Sequence, residues 1–112
     1  MTDDKRAYKR IGTYLEALGK FSDGTNFSAQ IMDVSPKGLA LKAERNIAVG
    51  ESFELEISLI QGDKMSFSCH VVRTELLDQK GMNKICVKIQ EGSPSDQMLL
   101  YQFYAKKIRE EG

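Results

Sequence analysis

The chain has 112 residues, with sixteen basic and sixteen acidic side chains and a formal net charge of zero. That length makes one domain with one modest core, and the balanced charge excludes bulk attraction to nucleic acid or to an anionic membrane. No apolar run approaches the roughly 20 residues of a membrane-spanning helix, so an anion site would have to come from a local cluster of cations.

The N-terminal stretch supplies such a cluster. Lys5, Arg6, Lys9 and Arg10 place four cations within six residues, with Tyr8 between them. The start, Met1-Thr2-Asp3-Asp4, is polar and lacks the apolar region of a secretory signal. The expectation is a cytoplasmic protein in which Cys69 and Cys86 are reduced thiols. Two cysteines that far apart make no zinc motif. Residues 1–12 read as a flexible polar segment.

From Thr13 onward the pattern has period two. Thr13, Leu15, Ala17 and Phe21 share one parity, and Ser22-Asp23-Gly24-Thr25 supplies turn chemistry. Phe27, Ala29 and Ile31 mark a second strand, broken at Ser35-Pro36-Lys37-Gly38, and Leu39, Leu41 and Ala43 mark a third. Val49-Gly50-Glu51 is a turn. Phe53, Leu55, Ile57 and Leu59 then alternate with Glu54, Glu56 and Ser58. Gln61-Gly62-Asp63-Lys64 reads as a hairpin loop, followed by Phe67, Cys69 and Val71 on one face of a fifth strand. Asp78-Gln79-Lys80-Gly81 is the next turn, and Ile85, Val87 and Ile89 form the sixth strand. Six short strands over 13–92 predict a mainly β fold, a small six-stranded antiparallel barrel.

Residues 93–110 switch to helical spacing. Ser93 is the predicted N-cap, Pro94 the first helical residue and Asp96 the partner in a capping box. Leu99, Leu100, Phe103, Tyr104 and Ile108 predict an apolar face that docks on the barrel or on a partner.

Two motifs carry the functional signal. Arg6-Ala7-Tyr8-Lys9-Arg10 is R-x-x-x-R, and Asp33-Val34-Ser35-Pro36-Lys37-Gly38 is D-x-S-x-x-G. Alone, the first is a solvated basic stretch and the second an ordinary turn. Together, in a strand-rich chain, they resemble the signature of the PilZ domain, a bacterial receptor module for cyclic di-GMP. The likeness extends to Ile31–Leu41, to Val49-Gly50-Glu51-Ser52-Phe53, to Val71-Val72-Arg73 and to the terminal helix. Cys86 and Ile89 depart from it, standing where the family often carries Gly and Phe.

The resemblance implies a split barrel that binds cyclic di-GMP through Arg6, Arg10, Asp33, Ser35 and Gly38, with Lys5 and Lys9 as accessory contacts. Lys5 before the first arginine leans toward a stacked pair of ligands. The chemistry fits. A guanidinium bonds phosphate oxygens or guanine O6 and N7 as a fork and stacks on a base. A spacing of four puts Arg6 and Arg10 on one side of the chain. Asp33 could accept from the guanine N1–H and N2–H₂ groups, Ser35 could donate to a phosphate, and Gly38 could take a positive φ.

No catalytic constellation accompanies these residues. Neighbours in a strand point to opposite faces, so Cys69 is expected in the core and His70 at the surface, and the lone histidine leaves no acid–base pair or metal site. The expectation is a non-enzymatic receptor without a cofactor, monomer or homodimer, not inserted in a membrane. It would change conformation on binding and signal to a protein partner. A ligand-independent PilZ-like adaptor is the alternative. A nucleic-acid-binding β-barrel is disfavoured by zero net charge and few exposed aromatics.

Overall fold

The computed structural model describes residues 11–59, 62–78 and 80–111. Six strands precede one helix: β1 (Ile11–Lys20), β2 (Asn26–Ser35), β3 (Gly38–Ala43), β4 (Ser52–Ser58), β5 (Lys64–Leu76), β6 (Asn83–Gly92) and α1 (Pro94–Glu111). The strands close into a barrel in the order β1-β2-β3-β6-β5-β4, every pairing antiparallel. β1 takes in Ile11 and Gly12, which the sequence alone places in the polar N-terminal segment. Gly12 pairs with Asp33, and cross-strand pairing carries the strand through the glycine.

The period-two pattern becomes the barrel interior. Leu15, Ala17, Phe27, Ala29, Ile31, Leu39, Leu41, Leu55, Ile57, Phe67, Cys69, Val71, Ile85 and Val87 form one buried cluster. Burying a side chain of this size contributes about 1.5–3 kcal/mol, which makes the alternation the main folding signal. Ile47, in the loop between β3 and β4, is also buried in this cluster, although no alternation marks it.

The turns follow local chemistry. Gly24, Gly50, Gly62 and Gly81 all adopt positive φ, the backbone state only glycine takes without strain. Asp23 Oδ1 accepts from Thr25 N–H at 2.9 Å, and Asp78 Oδ1 from Lys80 N–H at 2.9 Å. Gln61 and Gln79 of two predicted turns lie outside the described residues.

α1 packs on β5, β1 and β2. Ser93 Oγ accepts from Asp96 N–H at 3.0 Å, as the capping motif predicts. Gln97 adds a bond to the Gly92 carbonyl at 2.9 Å. Leu100 and Tyr104 are buried in the core cluster, with Leu99 and Phe103 packed against it. Ile108, expected on the docking face, is exposed; it lies near the helix end, past the last buried turn. Among the described residues, no helix is long and apolar enough to cross a membrane.

Candidate functional site

The D-x-S-x-x-G motif spans the end of β2 and the start of β3. Its geometry depends on a break in the alternation. Phe27, Ala29 and Ile31 point inward, and strict alternation would send Asp33 into the core with them. An irregularity between Ile31 and Asp33 inserts one extra residue opposite β3, and a second irregularity lies between Gly12 and Leu15 of β1. Beyond them Val34 is the buried residue and Asp33 is half-exposed. A bulge re-aims every side chain that follows it, and here it brings a carboxylate out of a barrel that could not solvate it.

Pro36 and Lys37 form the turn, with Ser35 opposite Gly38. The Ser35 hydroxyl donates to the Gly38 carbonyl at 3.2 Å and accepts from Gly38 N–H at 3.2 Å. Ser35 is the one buried polar side chain among the described residues, and its single proton braces the turn. The positive φ expected at Gly38 is not found. Gly38 opens β3 in extended conformation, because the two-residue turn ends one residue earlier. The Lys37 carbonyl accepts from Ile89 N–H at 2.9 Å, which ties the turn to β6.

Residues paired across strands share a face, so the register assembles an outer surface around the motif. One row runs Gly12, Asp33, Ala40, Cys86 and Arg73 over β1, β2, β3, β6 and β5. The adjacent row runs Ser35, Gly38, Lys88 and His70. The four strands β2, β3, β6 and β5 span roughly 14 Å at about 4.8 Å per step. Gly12, Gly38 and Ala40 carry little or no side chain; Gly12 is exposed, whereas Gly38 and Ala40 are buried. Lys88 and Arg73 are exposed beyond it. Arg73 lies 3.8 Å from the Glu75 carboxylate, and His70 Nδ1 lies 3.3 Å from Ser52 Oγ.

Thus Asp33, Ser35 and Gly38 are brought together. Arg6 and Arg10, with Lys5 and Lys9, lie outside the described residues. The chain joins β1 at Ile11, which pairs with Val34 inside the motif. Sequence reasoning did not place Lys88, Ala40, Cys86 or Arg73 on this surface, because nothing local says that β6 pairs with β3.

Cys69 is buried, and its neighbour His70 points the other way. Desolvation, with a smaller contribution from the Glu54 charge, pushes the Cys69 thiol from 9.0 up to about 12. Among the described residues no group of three or more His, Cys, Asp or Glu side chains is arranged to hold a metal ion.

The family model for the PilZ domain matches residues 4–106. No curated protein matches significantly. Among solved structures, the chain is similar to the PilZ domain with c-di-GMP of YcgR from Escherichia coli. The TM-score is 0.78 at 18% identity, covering 96% of this chain and 95% of that one. It is similar to the Bacillus subtilis inhibitor of motility MotI/DgrA at a TM-score of 0.81 and 18% identity, covering 97% of this chain and 53% of that one. The K. pneumonia MrkH–c-di-GMP complex gives a TM-score of 0.81 at 16% identity, covering 96% of this chain and 53% of that one. The chain therefore spans nearly all of the YcgR domain but about half of MotI and MrkH. At these identities the structural likeness concerns the fold.

Proposed function

This chain belongs to the PilZ domain family, and from that membership we propose that it is a receptor for cyclic di-GMP. The observation that carries the reading is the outward-turned Asp33 beside the braced Ser35–Gly38 turn. The Asp33 carboxylate accepts from the guanine N1–H and N2–H₂ donors. Those donors distinguish guanine from adenine, which has no such edge. Arg6 and Arg10 supply the phosphate and stacking contacts, with Lys5 and Lys9 as accessory charge. Gly38, without a side chain, permits close backbone approach, and Ser35 acts chiefly by holding the turn.

Micromolar binding needs about −8 kcal/mol, and charge-assisted hydrogen bonds of roughly 1.5–3 kcal/mol each reach it with a stacked base or two. Contact by Arg6 and Arg10 draws residues 5–10 against the barrel and changes the surface offered to a protein partner. Amide exchange over residues 5–10 then slows on ligand addition.

The test is isothermal titration with cyclic di-GMP, with cyclic di-AMP and GTP as controls. Saturable, selective binding supports the receptor. Arg6→Ala, Arg10→Ala and Asp33→Ala each weaken it by about ten-fold or more, since a contact near 1.5–3 kcal/mol is lost, with the melting temperature of the free protein unchanged. No heat from well-folded protein refutes the receptor and leaves the constitutive adaptor.

A further inference from the structure

A cleft of about 500 Å³ opens on the far side of the Pro36–Lys37 turn. Its walls are that turn, Lys88 and Ile89 of β6, and Leu100 and Tyr101 of α1. The volume lies within the range of about 300–1,000 Å³ usual for small-ligand sites. Its charged lining is Lys37 and Lys88, with no carboxylate. The larger cleft at the Ser22–Gly24 turn sets Glu54 and Glu91 beside Lys20, and the one beside β4 and β5 is lined by Glu54, Glu91 and Asp96. Of these clefts and the one along α1, where Glu110 stands with Lys106 and Lys107, the first is the one whose charged lining holds cations without a carboxylate.

We propose that this cleft is a second subsite of the receptor, in which Tyr101 stacks on a nucleobase and Lys88, with Lys37, holds a phosphate. The proposal rests on the receptor reading above and extends it to the helix. Four observations carry it. Lys88 belongs to the same outer row as Ser35 and Gly38, so the motif's surface runs directly into the cleft. Tyr101 is 54% exposed on a wall shared by apolar Pro36, Ile89 and Leu100 and the two lysines, an aromatic face open to a base and flanked by cations. Its position is held, because its neighbour Leu100 and Tyr104 one turn on are buried in the core. The turn opposite is pinned by the bond from Ile89 N–H to the Lys37 carbonyl. A ligand reaching from Asp33 to Tyr101 would touch α1 directly, giving occupancy a route to the helix.

The experiment is titration of the full chain with cyclic di-GMP for wild type, Tyr101→Ala, Tyr101→Phe, Lys88→Gln and Asp33→Ala, each checked for an unchanged melt. The expected result is about a ten-fold loss for Tyr101→Ala, near-wild-type binding for Tyr101→Phe, which keeps the ring face, and a loss for Lys88→Gln with a shallower salt dependence. Wild-type affinity in both Tyr101→Ala and Lys88→Gln, alongside a loss in Asp33→Ala, overturns the subsite and leaves the receptor standing. Absence of binding by the folded wild type overturns both.

Discussion

At Gly19 a missing side chain is what the core requires. A Cβ placed there would stand 2.1 Å from the edge of the Phe27 ring. That ring is packed among Phe21 and Phe53, with centroids 5.4 and 5.0 Å away. Gly19→Ala is therefore an overpacking change and should cost about 1–3 kcal/mol, read as a lower urea midpoint with an unchanged slope. The two thiols differ as sharply. Cys86 is half-exposed on the outer row that also holds Asp33, two strands away, whereas Cys69 is buried with its thiol pushed up to about 12. Iodoacetamide at pH 8 should modify Cys86 alone in native protein and both thiols after denaturation; two fast thiols in native protein would contradict the burial. Between about 9 and 12 the native state keeps a proton that the unfolded chain has lost, so stability falls as pH rises through that window. Cys69 was legible as core from its parity with Phe67 and Val71. Asp33 was legible as a ligand candidate only through its motif, since its parity with Ile31 points inward and the bulge that reverses it is not a local signal.

The elements themselves were readable because each rests on nearby residues. The helix start shows this. Ser93, Pro94 and Asp96 announce it in sequence, and the Ser93 Oγ bond to Asp96 N–H realises it. Ser93→Ala should destabilise the fold by about 0.5–2 kcal/mol, and Ser93→Asn, which keeps a capping acceptor, should restore most of that loss in the same denaturation series. No loss in Ser93→Ala would show that the cap contributes nothing. Element placement was less readable. The irregularities between Gly12 and Leu15 and between Ile31 and Asp33 are relations between strands, fixed only when β1, β2 and β3 pair. Ile47 joins the core from a loop for the same kind of reason: its burial depends on the barrel around it, with no period of its own to betray it.

Barrel closure is where the candidate site is made. Six alternating strands can be counted in sequence, but the order β1-β2-β3-β6-β5-β4 sets Gly38 against Lys88 and Ala40 against Cys86. Those partners are separated by 50 and 46 residues, so a local reading of the motif could reach only Asp33, Ser35 and Gly38. Closure also fixes the energetic consequence of binding. The outer rows draw on β1, β2, β3, β5 and β6 together, and none of these rows exists in the unfolded chain. A ligand held there binds the native state alone and must stabilise the whole barrel. At a free concentration of one hundred times its dissociation constant, cyclic di-GMP should add about 2.7 kcal/mol. At roughly 4 °C per kcal/mol for a domain of this size, the melting temperature should rise by about 10 °C. The rise should continue with the logarithm of ligand concentration and be small in Asp33→Ala at the same concentration. A rise of equal size in Asp33→Ala would place the binding elsewhere. A saturated titration with no thermal rise would mean that the ligand also binds unfolded chain, which a site assembled from five strands forbids.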